Sequence, residues 1–272
     1  MTKLKVATFN LQSTKPNKSE QQSELLRKEN VDICALQEIN YNNYRFGSNK
    51  FNSLSGFQEG KNKFLDCYFG KAIEFAKGDM GIAVASNYSI NSAKTIKLYS
   101  EDAMPDSIEK LHYYYNIYNY DNQHTIDEFN EFNKNYKYIE PRVVIKSQIK
   151  INEKKVSFFS THLSFETEEL RHTQLVQLRD ILLNDSSDYQ ILAGDLNVDQ
   201  STKELEFLKR DFTITNGYDG YWIDTFTGVD PNMNVNSVDN IILSKNIKLD
   251  SIYKVNSNLS DHLPLIAQIE LL

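Results

Sequence analysis

Short apolar runs that break off at polar residues recur along the whole chain. Residues 4–9 read as a buried strand, 20–29 as a short helix and 31–36 as a second strand, an α/β rhythm from the start. Further strands are expected at 64–69, 81–86, 95–99, 143–151, 156–160, 189–193, 237–243 and 265–271, enough for two sheets. Between Ser160 and Tyr189 the apolar period lengthens to that of a helix. Leu175, Leu178, Ile181 and Leu182 share one face, and Glu166, Glu168 and Glu169 crowd the end where the helix dipole favours anions. A further helix is expected after Ser201, whose spacing to Glu204 makes a capping box. The Asn152-Glu153 pair between 143–151 and 156–160 reads as a hairpin turn, so the sheets are expected to be mixed rather than wholly parallel.

Composition bounds the organisation. The 272 residues contain no Pro/Gly/Ser-rich linker, repeat or low-complexity tract, so residues 1–272 read as one domain. The net charge of −7 opposes long-range attraction of a polyanion and argues against a dedicated non-specific nucleic-acid binder. That charge is concentrated: residues 101–140 hold nine Asp/Glu against three Lys, together with seven of the sixteen tyrosines. This acidic, Tyr-rich insertion interrupts two strand regions and carries an expected helix from Thr125, capped against Glu128, to about Tyr136. A lid packed on the edge of the fold and a substrate-recognition element both remain open for it. Cys34 and Cys67 lie in apolar stretches and read as two buried free thiols, which fits a reducing, cytoplasmic setting, with secretion after signal cleavage left open. No apolar run reaches the length of a membrane span, and a monomer is expected.

The candidate chemistry lies where apolar runs end. Six stretches place Asn, Asp, Glu or His there: Thr8-Phe9-Asn10, Leu36-Gln37-Glu38, Thr161-His162-Leu163, Gly194-Asp195-Leu196-Asn197, Ser237-Val238-Asp239 with Asn240, and Ser260-Asp261-His262-Leu263-Pro264. Singly, each is an ordinary turn, cap or hydrogen-bonded structural residue. Together they suit a hard cation. Mg²⁺ takes oxygen ligands and keeps several waters, so Glu38 helped by Asn10 and Asp261 is sufficient, with Mn²⁺ the alternative. A Gly-x-Ser-x-Gly elbow, His-Glu-x-x-His and paired cysteines at ligand spacing are all missing, which excludes serine-hydrolase and zinc readings.

In order and local context these stretches resemble the endonuclease/exonuclease/phosphatase superfamily from Asn10 to His262, most specifically in Gly-Asp-Leu-Asn and Ser-Asp-His. Gly81-Ile82-Ala83-Val84-Ala85-Ser86 resembles its glycine-led third-strand motif, Glu140-Pro141-Arg142 its Glu-x-Arg, and Trp222-Ile223-Asp224-Thr225-Phe226 its aromatic-Asp-Thr/Ser-Phe turn. The resemblance implies a DNase I-like fold, a four-layered α/β/β/α sandwich of two mixed sheets, and metal-dependent phosphoester hydrolysis. It implies roles as well. Asp195 would activate water for in-line attack, Asn197 would hold the nucleophile or a phosphoryl oxygen, and His162 would donate to the phosphate. His262 would donate to the pentacovalent transition state, its other ring nitrogen anchored by Asp239, and Arg142 and Arg171 would bind substrate phosphate.

Two departures narrow the branch. Asp239 has no basic residue before it and no aromatic after it. His162 stands where members that cleave at abasic sites carry Asn, and the segment before Asp239 lacks their Trp, which disfavours that activity. Thr161-His162-Leu163 followed by Arg171 and Gln174 on one helix is instead similar to the branch of phosphatases, lipid phosphodiesterases and DNase-like enzymes, and Arg171, one turn before Gln174, is placed to fix the loop above. The expected substrate is a phosphorylated small molecule, sugar or lipid head group. A DNase-like endonuclease or exonuclease acting on nucleic acid and a catalytically silent scaffold are the alternatives.

Overall fold

The computed structural model describes residues 2–16, 18–100, 139–198, 203–228 and 236–272. The strands among them are β1 (Thr2–Asn10), β2 (Ile33–Tyr41), β3 (Asp66–Phe75), β4 (Gly78–Ser86), β5 (Ile90–Lys97), β6 (Val143–Ile151), β7 (Lys154–His162), β8 (Tyr189–Asp195), β9 (Phe212–Ile214), β10 (Asp239–Ser244), β11 (Ile247–Lys254) and β12 (Leu265–Leu271). They form two six-stranded sheets, ordered β11-β12-β1-β2-β4-β3 and β5-β6-β7-β8-β10-β9. Both sheets are mixed. The parallel pairs are β1–β2 and β7–β8, joined by crossovers through helix α1 (Ser19–Lys28) and, after the short α2 (Ser55–Gln58), the longer α3 (Glu168–Leu183).

Successive residues of a strand face opposite sides, and the central strands β1, β2, β4, β8 and β10 are covered on both, which is why they read as largely apolar runs. In β1, Leu4 and Val6 enter the core between the sheets, where they join Val84, Ile145, Phe158 and Ile191. Ala7 and Phe9 face outward to Leu26 of α1 and to Leu54 and Phe57. Likewise Phe159 and Leu192 on the far side of the second sheet pack under Leu175, Leu178 and Leu182 of α3. The result is the four-layered α/β/β/α sandwich of two mixed sheets. Thr167 begins α3 by accepting from Leu170 N at 3.1 Å, behind the glutamates at its dipole's positive end. The hairpin from β6 to β7 turns on Asn152 and Glu153, both at positive φ, the backbone such a two-residue loop requires.

Three expectations meet a different outcome. Strands β9 and β11 were not anticipated: β9 has three residues, too few to reveal a period, and β11 carries a register shift between Leu249 and Ser251. Ser201 lies outside the described residues, and the segment beyond it forms only a 3₁₀ turn at Glu206–Leu208. The capping box from Ser201 to Glu204 therefore falls outside the described residues, and the Glu204 carboxylate accepts from Arg171 of α3. Cys34 is buried and Cys67 half-buried, both as free thiols. The acidic insertion lies outside the described residues apart from Ile139 and Glu140, and with it the helix expected from Thr125 to about Tyr136. No helix of the described residues is long and apolar enough to cross a membrane.

Candidate active site

Strand register carries the candidate residues to one end of the sandwich. In the second sheet His162, Asp195 and Asp239 stand side by side on β7, β8 and β10, as His162 pairs with Asp195 and Asp195 with Asp239. The glycine of Gly194-Asp195 has a local reason, since a Cβ at Gly194 would collide with the Thr161 carbonyl and push β8 from β7. In the first sheet Asn10 ends β1, with Gln37 of β2 as its neighbour. The β2–β4 register then shifts between Leu36 and Ile39, and Glu38 takes a φ of 58°. A glutamate in that left-handed region costs on the order of 1 kcal/mol, a strain that re-aims its side chain out of the strand's alternation. Beside β1, Ser260 Oγ donates to Asn10 O (2.7 Å) and accepts from His262 N (3.1 Å), fixing the Ser-Asp-His loop to the same edge.

The two rows meet across the interior. Asn10 Nδ2 donates to Glu38 Oε1 at 3.0 Å and to Asp195 Oδ2 at 3.1 Å, linking the sheets. His162 Nε2 lies 3.5 Å and His262 Nε2 3.6 Å from that same Asp195 Oδ2. His262 Nδ1 is 2.9 Å from Asp239 Oδ2, which also accepts from Thr225 Oγ1 at 2.6 Å, and the Phe226 ring lies 5.1 Å from the His262 ring. Ser13 donates both its N–H and its hydroxyl to Glu38 Oε2, each at 2.7 Å. Asn197, at φ 49°, donates N–H to Asp195 Oδ1 (3.0 Å) and Nδ2 to Leu163 O (2.9 Å). Asp261 accepts from Ser260 Oγ at 3.3 Å.

Burial separates the protonation states of these groups. It pushes the Asp195 carboxyl up to about 7, reinforced by Asp239 and opposed by His262 and the Asn10 hydrogen bond. Burial works against a charged His262, but the Asp239 and Asp195 carboxylates outweigh it and raise the imidazole to about 10. His162 goes the other way, held well below its ordinary value by burial and by the Arg142 guanidinium. For Glu38, burial is overcome by donation from Ser13 and Asn10, which hold the carboxyl below its ordinary range. Burial raises Asp261 and Glu140, and in both the Glu38 charge adds to the effect. Three carboxylates acting on one another with little solvent are what a cation would relieve.

The arginines do not join the open side of this group. Arg142 is 4% exposed, and its Nη1 is shared between Glu140 Oε1 (3.1 Å) and His162 Nδ1 (3.2 Å). Arg171, assigned to phosphate from the resemblance, is 7% exposed, with Nε and Nη2 forked onto Glu204 at 2.9 and 2.8 Å and Nη1 on Phe165 O at 3.2 Å. A buried guanidinium needs such a partner, and the pairing takes Arg171 out of the contacts around Asp195. With Gln174, which accepts from Ser164 N (3.0 Å) and donates to Ser164 Oγ (2.9 Å), it braces the loop that follows His162. Sequence reasoning gave no part to Ser13, and quoted Thr225 only as a piece of a motif. It also passed over Arg45, a half-buried guanidinium 5.0 Å from the Phe75 ring centroid, on which the Glu38 and Glu140 charges act. A side chain that serves another side chain across the fold carries no local pattern.

Among the described residues, one set of three His, Cys, Asp or Glu side chains has ligand-type atoms within 4.8 Å of one another and could hold a metal: Asp195, Asp239 and His262. Its imidazole and Asp239 already bond to each other, whereas Glu38, Asn10 and Asp261 offer oxygen donors of the kind a hard cation takes.

The model of the endonuclease/exonuclease/phosphatase family matches residues 7–262. Solved structures agree over the whole chain. An endonuclease/exonuclease/phosphatase from Bacteroides vulgatus is 18% identical with a TM-score of 0.68, covering 100% of both chains. The mannosyl-6-phosphatase Bt3783 of Bacteroides thetaiotaomicron is 17% identical (TM-score 0.62), covering 98% of this chain and 99% of that one. D. rerio TDP2, complexed with a single-strand DNA product, is 11% identical (TM-score 0.66), covering 99% of this chain and 100% of that one. At such identities the likeness is one of fold. No curated protein sequence matches the chain.

Proposed function

The chain belongs to the endonuclease/exonuclease/phosphatase family, and on that premise we propose that it is a Mg²⁺-dependent hydrolase of phosphate esters, cleaving a phosphorylated small molecule or lipid head group with water activated by Asp195. The observation that carries this is the environment of a single atom. Asp195 Oδ2 has Asn10 Nδ2 at 3.1 Å and the Nε2 atoms of His162 and His262 at 3.5 and 3.6 Å, with Glu38 one hydrogen bond away through Asn10. A carboxyl poised near 7 can accept a proton from water at neutral pH, and donors converging from both sheets suit the charge that builds on phosphoryl oxygens during in-line attack. His262, charged at neutral pH, meets that charge, and Asn197 steadies Asp195 through its N–H. Glu38, Asn10 and Asp261 would hold the cation, Mg²⁺ or else Mn²⁺, which when bound neutralises a non-bridging oxygen and the leaving oxygen.

The net charge of −7 favours a compact substrate over an extended polyanion. Phe165, three residues after His162, is an exposed aromatic ring against which an organic group can pack. Relatives of this fold include a phosphosugar phosphatase and a protein bound to DNA product. The test therefore needs three arms, with Mg²⁺ and p-nitrophenyl phosphate, bis-p-nitrophenyl phosphate or plasmid DNA. Turnover of one of the two small esters is expected, abolished by EDTA and restored by Mg²⁺. Cleavage of DNA alone would replace this reading with the nuclease, and silence on all three, or indifference to EDTA, would sink it.

The pH profile follows from the two groups that must be in opposite states. Asp195 has to be ionised to take a proton, so kcat is expected to climb as pH passes through about 7. It should fall again near 10, where His262 loses its charge. A kcat–pH series without an acidic limb would remove Asp195 from the role of base.

A further inference from the structure

The two histidines of the site are backed by opposite charges. Behind His262 stands Asp239, a carboxylate that can only accept, so Nδ1 carries the proton between them. Behind His162 stands a guanidinium. Arg142 Nη1 lies 3.2 Å from His162 Nδ1, buried and tethered to Glu140 Oε1 at 3.1 Å. A guanidinium keeps its protons at any accessible pH and has no lone pair to offer. The only hydrogen bond that contact permits is donation from Nη1 into a bare Nδ1. In the neutral ring the single proton then sits on Nε2, the atom 3.5 Å from Asp195 Oδ2.

We propose that Arg142 is a positioning residue that fixes His162 as the neutral Nε2–H tautomer, and that it does not itself bind the phosphate. The site then presents one charged and one neutral imidazole, each aiming Nε2–H at the place where a phosphoryl oxygen would lie. Burial and the adjacent guanidinium both disfavour a second proton on His162, in keeping with this division. A neutral donor can hold an oxygen without giving up its proton, so the two histidines are not interchangeable. The inference builds on the phosphoesterase reading, but the tautomer itself is independent of turnover.

Long-range ¹⁵N–¹H correlation spectra of the full-length Mg²⁺-loaded chain, with His162 assigned by its loss in His162→Gln, read the tautomer directly. Between about pH 6 and 8 the expected pattern is a bare Nδ1 and a protonated Nε2, the state a permanently charged donor imposes. A protonated Nδ1 overturns the proposal whether or not any variant folds. In kinetics, Arg142→Met should lower kcat about tenfold, the worth of a buried hydrogen bond, with KM within about twofold of wild type. Its spectrum should show mixed tautomers, and Arg142→Lys, which can still donate, should recover the wild-type pattern. If instead KM and the inhibition constant of inorganic phosphate rise while the tautomer holds, Arg142 is a phosphate ligand and the proposal fails. Absence of turnover in wild type would count against the phosphoesterase reading alone, with the spectra still deciding the role of Arg142.

Discussion

Asp195→Asn is expected to lower kcat by at least about a hundredfold, as for groups acting in the transition state, while leaving the fold intact. The substitution is nearly isosteric. It removes the acceptor that would take the water's proton. It also removes a charge that burial and Asp239 both disfavour, so Tm should stay level or rise. The His262 imidazole loses one of the two carboxylates that hold it at about 10, and its pKa should drop. Steady-state kinetics with calorimetry and a histidine titration measure all three. Near-normal turnover in a folded protein would refute the assignment of the base, and a large fall in Tm would make the kinetic loss uninformative about chemistry.

Glu204→Ala is expected to cost about 3–5 kcal/mol of stability, the usual penalty for stranding a buried charge. Glu204 and Arg171 are both nearly inaccessible and form two parallel bonds, so the guanidinium left behind would have no water to turn to. Replacing both by methionine should recover most of the loss, because an apolar pair of similar volume avoids the desolvation altogether. Urea unfolding of the single and double variants decides it. A single variant within about 0.5 kcal/mol of wild type would show that the pair is solvated in solution, as surface ion pairs are. The double variant should still be slow, because Arg171 Nη1 also holds the Phe165 carbonyl in the loop that follows His162.

The parts of this architecture that were readable in the sequence share a physical reason. Strands covered on both faces carry few polar positions, so residues 4–9, 31–36 and 189–193 stand out as largely apolar runs, and the polar residues that follow them mark the sheet margin. Asn10, Glu38, His162 and Asp195 were found that way, with Asp239 at the head of its strand and His262 just ahead of its block. What escaped depends on tertiary partners. Arg171 carries a charge that suits phosphate, and only the fold reveals that Glu204 has claimed it. Ser13 and Thr225, which hold Glu38 and Asp239, look like any hydroxyl in a loop. Strand β11 lies at a sheet edge with Lys248, Ser251 and Lys254 exposed, and offers only a diluted apolar signal.

Strand β1 lies between β2 and β12, paired in register with the latter from Thr2 to Thr8. A ribosome delivers residues 2–10 some two hundred and fifty positions ahead of 265–271, so the early strand must wait with one edge unsatisfied until its late neighbour emerges. Ser260, which bonds the asparagine at 10 and holds the histidine at 262, arrives only with that late neighbour. A truncation that removes the late strand is therefore expected to leave an aggregation-prone product with one edge of β1 open.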